Sequence, residues 1–214
     1  MNIYSHIVIA RYLGPKQKLA DLPDYYWGAV IPDIRYLTGI QREQTHLTFD
    51  RIDELSLRYP NLADFIAGYR VHCLADEFNL AKNFQRIIPF TFLKGKLTPQ
   101  HYPVILELYH IRNRKRTAVT LSGTHNPILA DLGITPEQNQ SFFQAVQAYL
   151  DLPSFPGAIQ LAQQLGLVKN DQVSKYLSAA QRLQNNPFLM NLLFLGLSLA
   201  RIDRKITTSI LAHY

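Results

Sequence analysis

A repeated four-residue spacing constrains the fold of this chain more than any other feature of its sequence. Asp64, Gly68, His72 and Asp76 follow one another at this interval. Residues at such a spacing lie on one face of a helix, which predicts a helix over about 62–83 with a polar stripe along it. Because glycine inside a helix costs about 1 kcal/mol relative to alanine, Gly68 predicts a second element packed closely against that stripe.

Helical patterning extends over most of the chain. Pro32 interrupts an early segment, because a proline forces the residue before it out of helical geometry. Asn61 and Thr135 each stand where a helix cap is expected. The predicted helices span about 3–13, 25–37, 46–59, 62–83, 103–112, 136–150, 154–165, 171–185 and 187–201. Two runs rich in β-formers, 87–92 and 117–122, lack a hairpin turn. The sequence therefore predicts an all-α fold, a single-domain multi-helix bundle over the whole of 1–214.

Composition excludes several classes of protein. Hydrophobic residues make up 47% and charged residues 18% of the 214 residues, which is typical of a folded globular chain and not of a disordered one. Cys73 is the one cysteine, so no internal disulfide can form. The longest apolar run, 187–200, has about 14 residues and is shorter than the roughly 20 that a membrane-spanning helix needs. The N-terminus lacks a basic leader. We expect a soluble cytoplasmic protein without a transmembrane segment.

The net charge of +6 is modest, and part of it lies in two basic clusters. These clusters consist of Arg112, Arg114, Lys115 and Arg116, and of Arg201, Arg204 and Lys205. Such groups attract phosphates on nucleic acids, lipids or small esters. Cations also collect at helix C-termini, where they offset the negative end of the helix dipole. The sequence leaves both interpretations open.

Five residues have the side chains that divalent metals prefer. They are His6, Asp33, His46, His72 and Asp76, all within 1–83, while 84–214 contributes additional helices. Three imidazoles and two carboxylates suit zinc, and also manganese or iron, better than magnesium or calcium. Each residue has an ordinary alternative, since a buried histidine such as His72 is often only hydrogen-bonded to a carboxylate. Glu107 and His110, three apart on a predicted helix, are further candidate ligands.

The order of these residues resembles the zinc-dependent phospholipase C family, which is related in fold to the S1/P1 nucleases. The match consists of His6, then Gly28, Pro32 and Asp33, then Thr45 and His46, then Gly68, Tyr69, His72 and Asp76. It covers the N-terminal part of the chain only. The resemblance implies that Asp33, His46, His72 and Asp76 hold one zinc ion, and that Asp76 bridges to a second ion which His6 also binds. Lys82 stands where the family has a histidine for a third ion, so one or two ions are expected.

The resemblance also implies an activity. We expect a metal-dependent hydrolase acting on a phosphoester, specifically a phosphodiester, through a water activated by one or two metal ions. Asp33 is then both a ligand and the proton acceptor for that water, and Arg42 binds the substrate phosphate. The alternative is a catalytically inactive helical binding module whose basic patch contacts nucleic acid or an acidic partner. A third possibility is attachment to a membrane surface through the apolar helix at 188–199, although such a helix more often lies in a core.

Overall fold

The computed structural model describes residues 3–87, 101–113, 118–166 and 185–213, together with positions 178 and 181. Within these ranges the backbone forms helices, turns and irregular segments, and no strand occurs among them. In chain order the helices are α1 (Ile3–Leu13), α2 (Leu22–Gly28), α3 (Arg35–Thr38), α4 (Arg42–Thr45), α5 (Phe49–Arg58), α6 (Ala63–Glu77), α7 (Leu80–Ile87), α8 (His101–Asn113), α9 (Pro127–Asp131), α10 (Pro136–Asp151), α11 (Phe155–Gln164), α12 (Pro187–Leu199) and α13 (Ile202–Leu211). Short 3-10 turns occur at Gly14–Lys16, Ile31–Ile34 and Pro60–Leu62. The predicted all-α fold class is confirmed.

Helices α2 and α6 touch backbone to backbone through a pair of glycines. A Cβ atom added at Gly68 would lie 1.9 Å from the carbonyl oxygen of Tyr25, and one added at Gly28 would lie 1.9 Å from that of Phe65. No side chain can occupy such a space without moving the backbone. The close neighbour that Gly68 predicts is therefore α2.

The buried apolar side chains form two clusters that meet along α1 and α6. The first cluster includes Ile7 of α1 and Phe65 of α6, and the second includes Ile9 of α1 and Val71 of α6. Each of these two helices is therefore covered by the core on more than one side. This placement explains why α1 and α6 can carry polar side chains that are shielded from solvent.

Two predicted helices are shorter than the sequence suggested. The helix predicted over 46–59 begins only at Phe49, because His46, which follows the end of α4, has φ −106° and ψ 80°. The helix predicted over 62–83 ends at Glu77, because Phe78 is extended. Asn61 lies in the turn Pro60–Leu62 and does not cap α6.

Other expectations agree more closely with the structure. Thr135 caps α10 and Ser154 caps α11 through side-chain bonds to backbone N–H groups. The last predicted helix, 187–201, ends at Leu199, and α13, which the sequence did not predict, begins after Arg201, whose φ of 50° is left-handed. Residues 118–122 form no strand. The predicted segments 88–92 and 171–185, apart from positions 178, 181 and 185, lie outside the described residues.

The apolar helix α12 contributes one side to the core. Met190 and Leu193 are buried, whereas Phe188, Leu195 and Leu199 are exposed. Within the described ranges, none of the helices has the combined length and apolarity that crossing a membrane requires.

Candidate metal centre

Four separate elements bring the five predicted ligands together. His6 lies on α1, Asp33 in the turn Ile31–Ile34, His46 just after α4, and His72 and Asp76 one turn apart on α6. His6 and His72 are fully buried and Asp33 is 3% exposed. The side chains of His46 and Asp76 are 7% and 8% exposed. The cluster is therefore a nearly enclosed group of imidazoles and carboxylates.

One donor atom, His46 Nε2, lies at the spacing of ligands around one ion from two others. The Nε2 atoms of His46 and His72 are 3.2 Å apart, and Asp76 Oδ2 lies 3.1 Å from His46 Nε2. Nitrogen ligands at about 2.0–2.1 Å from a tetrahedral zinc ion are separated by about 3.3 Å. The spacing in this cluster agrees with that value.

The partners of the histidines direct their Nε2 lone pairs into the cluster. His72 Nδ1 lies 2.9 Å from the carbonyl oxygen of Ala29. A carbonyl oxygen can only accept, so the N–H is on Nδ1 and Nε2 carries a lone pair. His46 Nδ1 lies 3.1 Å from the hydroxyl of Thr45, which donates to the carbonyl oxygen of Arg42. With the N–H of His46 also on Nδ1, the Nε2 lone pairs of His46 and His72 face each other. A cation between the two nitrogens removes their repulsion.

His6 and Asp33 complete the cluster on the other side of His72. The His6 ring stacks on that of His72 with centroids 3.8 Å apart and an interplanar angle of 14°. His6 Nε2 is 3.3 Å from Asp76 Oδ1, but neither ring nitrogen of His6 has a hydrogen-bond partner. Asp33 Oδ1 lies 4.0 Å from His72 Nε2. Donor atoms of His6, Asp33 and His72 all lie within 4.8 Å of one another, as do those of His46, His72 and Asp76.

Burial sets the protonation of the cluster. It lowers the pKa of His6 to about 4 and also lowers the pKa values of His46 and His72. Burial, with the charge of Asp76, raises the pKa of Asp33 to about 7. Burial opposes ionisation of Asp76 too, but the imidazoles of His46 and His6 beside its carboxylate hold its pKa well below the usual range. Near neutral pH the cluster thus offers neutral imidazoles and an ionised carboxylate, the forms that bind metals.

Arginine side chains lie on the solvent side of the cluster. Arg42 donates to Asp76 Oδ2 at 3.0 Å, and its side chain is 43% exposed. The guanidinium group of Arg35 lies 3.9 Å from the centroid of the Tyr36 ring. The charges of Arg35 and Arg42 both act to lower the pKa of Asp33, so both groups lie within electrostatic reach of that carboxylate.

Several other sequence candidates lie away from the cluster. Glu107 and His110 bond to Ser5, Tyr149 and Asp203 instead, in a network that sequence reasoning did not predict. Local spacing gives no signal for it, since its members are about a hundred residues apart. The third-site position, Lys82, is exposed.

The basic segment is described only in part. Arg112 lies with its guanidinium carbon 5.4 Å from the centroid of the Phe194 ring, and Arg114, Lys115 and Arg116 fall outside the described residues. The binding-module alternative therefore stays a prediction from the sequence.

Comparison with protein-family models, with curated proteins and with solved structures finds no match to this chain. The function of the chain is therefore inferred from its residues and their geometry.

Proposed function

We propose that this chain is a metal-dependent hydrolase that acts on a phosphoester, and more specifically on a phosphodiester. The observation that carries the proposal is the position of His46 Nε2, which lies 3.2 Å from His72 Nε2 and 3.1 Å from Asp76 Oδ2 in a nearly enclosed site. Zinc suits this set of nitrogen and oxygen donors, and manganese or iron are also compatible with it. The ordered motif that resembles the phospholipase C family supports the choice of substrate.

The residues present fit a metal ion. His6 is fully buried and its two ring nitrogens lack hydrogen-bond partners, a condition that costs about 1–3 kcal/mol unless another group satisfies them. Asp33, His46, His72 and Asp76 would hold one ion, and His6 with the other oxygen of Asp76 would hold a second. A bound ion supplies a water of lowered pKa and polarises a phosphoryl oxygen.

Asp33 has the properties of a proton acceptor. In the metal-free protein its pKa is about 7, so it gains and loses a proton near neutral pH. Burial causes this shift, because a charged carboxylate is poorly solvated there. In the proposed reaction Asp33 accepts the proton of the attacking water.

Arg42 has the properties of a phosphate-binding group. One of its nitrogens bonds Asp76, and its partial exposure leaves other N–H groups available to a ligand entering from solvent. Hydrogen bonds from a guanidinium to phosphate oxygens are charge-assisted, and they stabilise negative charge that develops during hydrolysis. In the proposed reaction Arg42 orients the phosphoester and offsets this charge.

The test measures metal content and phosphodiesterase activity on the same samples. We expect one or two equivalents of zinc, manganese or iron in the reconstituted protein by mass spectrometry, and none in a His72→Ala, Asp76→Ala double variant. A matched control is His125→Ala with Asp131→Ala, because this pair lies outside the cluster. Hydrolysis of bis(p-nitrophenyl) phosphate should disappear with the metal and persist in the control.

Two results would contradict the proposal. Absence of metal from the reconstituted protein, or its retention in the double variant, would remove the metal centre. Stoichiometric metal without hydrolysis of any phosphoester would leave the centre intact and exclude the proposed reaction.

A further inference from the structure

A second buried polar cluster joins α1 to three other helices. Ser5 of α1 and His110 of α8 are fully buried, Glu107 of α8 is 4% exposed, and Asp203 of α13 is 6% exposed. Tyr149 of α10 bonds the same glutamate. This cluster begins one residue before His6 but shares no side chain with the candidate metal centre.

Glu107 anchors the first turn of α1. Its carboxylate accepts hydrogen bonds from the backbone N–H groups of Tyr4 and Ser5 at 3.0 and 2.8 Å. These groups lie in the first turn, where N–H groups have no partner within the helix. The Tyr149 hydroxyl donates to the same carboxylate at 2.7 Å. An anion at a helix N-terminus is also favoured by the helix dipole.

Three further contacts form a chain from this carboxylate to α13. Glu107 Oε2 is 2.7 Å from Ser5 Oγ, Ser5 Oγ is 3.0 Å from His110 Nδ1, and His110 Nε2 is 2.8 Å from Asp203 Oδ1. Each contact joins two electronegative atoms and needs one proton between them. The Ser5 hydroxyl provides one and a neutral imidazole provides one. The three contacts need three protons. A neutral Ser5 and a neutral His110 supply two, and the two carboxylates supply none, so one proton is missing from the count.

We propose that His110 carries this proton and is a buried imidazolium that ties α8 and α13 to the first turn of α1. An imidazolium donates from both nitrogens, to Ser5 Oγ and to Asp203 Oδ1, and the Ser5 hydroxyl then donates to Glu107. Asp203 on one side, and Glu107 through Ser5 on the other, stabilise the positive charge. His110 is thus a positioning residue for α1, and this role does not depend on the metal-centre proposal.

Among the described residues, the groups that contact the network include Tyr4 and Ser5 of α1, Glu107 of α8, Tyr149 of α10 and Asp203 of α13. Burial, followed by the neighbouring Glu107, raises the pKa of Tyr149 well above its ordinary value, so this hydroxyl remains a donor from pH 7 to 9. Loss of the proton from His110 leaves one of the three contacts without a hydrogen.

The proton makes folding depend on pH in a defined range. An unfolded chain releases its histidine protons near about pH 6.5. The folded chain still holds one on His110, so its stability falls as the pH rises, and the unfolding constant increases up to tenfold per pH unit. Two other buried groups limit the pH range in which the slope of the unfolding constant reports on His110. Asp33 has a pKa of about 7, and burial raises the pKa of the Cys73 thiol to about 12, so an unfolded chain releases the thiol proton at lower pH than the folded chain.

The test compares unfolding constants from pH 7 to 9 in the intact protein and in Asp203→Asn, under identical metal conditions. An amide N–H at position 203 can donate to His110 Nε2, so a neutral imidazole then completes all three contacts. Asp131→Asn is the matched control, because Asp131 is exposed and accepts from Tyr59 without an imidazole partner. We expect the unfolding constants of the intact protein and the control to rise more steeply with pH than that of Asp203→Asn, by up to tenfold per pH unit.

Equal slopes in the intact protein and Asp203→Asn, or no slope in either, would overturn the proposal. A second measurement covers the case in which the variant does not fold. Nitrogen-15 NMR of the histidine-labelled intact protein at pH 7 should show protons on both ring nitrogens of His110. A single protonated nitrogen would overturn the proposal by itself.

Discussion

Two buried polar clusters share helix α1, and they differ in how their polar atoms are satisfied. His6 has no hydrogen-bond partner at either ring nitrogen, whereas the preceding Ser5 contacts both Glu107 and His110 through its hydroxyl. Burial of a polar atom is costly unless a bond replaces the lost water. In the network of Ser5 the polar atoms form hydrogen bonds with other groups of the protein, so this network stabilises the fold. Within the part of the chain that the structure describes, the ring nitrogens of His6 make no hydrogen bond, which is the condition that we expect in the proposed metal site.

The two clusters also differ in charge. Burial keeps the imidazoles of the metal cluster neutral, and Asp76 is its ionised group near pH 7. In the other cluster, backbone N–H groups, hydroxyls and the proposed imidazolium surround Glu107 and Asp203. In the proposed metal centre the ionised Asp76 attracts a positive ion. In the other cluster the proposed imidazolium of His110 already offsets the negative charge of Glu107 and Asp203.

The largest expected effect comes from placing leucine at matched positions in the two clusters. Glu107→Leu leaves two backbone N–H groups and the Tyr149 hydroxyl buried without an acceptor. We expect a loss of about 3–5 kcal/mol in the free energy of unfolding. His6→Leu removes two unpaired nitrogens, so the metal-free protein should change by less than about 1 kcal/mol. Chemical denaturation of both variants without metal measures the difference, and equal losses would remove the distinction between the clusters.

The next largest expected effect is the pH dependence of zinc binding, which involves the candidate metal centre and not the network of Ser5. Metal uptake requires an ionised Asp33, whose pKa is about 7 in the metal-free protein, so a proton competes with the metal below that pH. We expect the affinity for zinc to fall about tenfold per unit below pH 7 and to level off above it. Competition with a chromophoric chelator between pH 5.5 and 8 measures this change. Asp33→Asn should bind zinc more weakly with a flatter profile, and an unchanged slope in that variant would exclude Asp33 as the competing group.

The smallest effect tests whether the Glu107 carboxylate tolerates the loss of one donor. Tyr149→Phe removes a single hydroxyl bond and leaves the bonds from Tyr4 and Ser5 in place. We expect a loss of about 1 kcal/mol in the free energy of unfolding, with metal content unchanged. Thermal unfolding and metal analysis of the same sample check both statements. A loss of metal in this variant would show that the two clusters are coupled.

Sequence reasoning succeeded where the signal was local. Four-residue spacing predicted the helix around His72 and the close approach at Gly68, and capping residues predicted the start of α10. It failed at His46, where a short helix ends one residue earlier, and at Phe78, whose extended backbone ends α6. These breaks depend on tertiary packing, which overrides the helix-forming tendency of neighbouring residues.

Long-range contacts were the hardest to predict. The assembly of the five candidate ligands follows from the ordered motif and not from spacing, because their elements are separated by turns of irregular geometry. The bond from Ser5 to Glu107 and the bond from His110 to Asp203 link residues about a hundred positions apart. Asp203 lies on α13, a helix that the sequence did not predict separately.

The glycine contact between α2 and α6 has a consequence for the kinetics of ligand capture. The two backbones meet without intervening side chains, so the distance from Ala29 to His72 does not vary with rotamer changes at the crossing. The His72 ring is then held in its orientation before any ion arrives. In the proposed metal site an entering ion would meet donors that are already in place, so we expect its rate of entry to be governed by the loss of its own water shell.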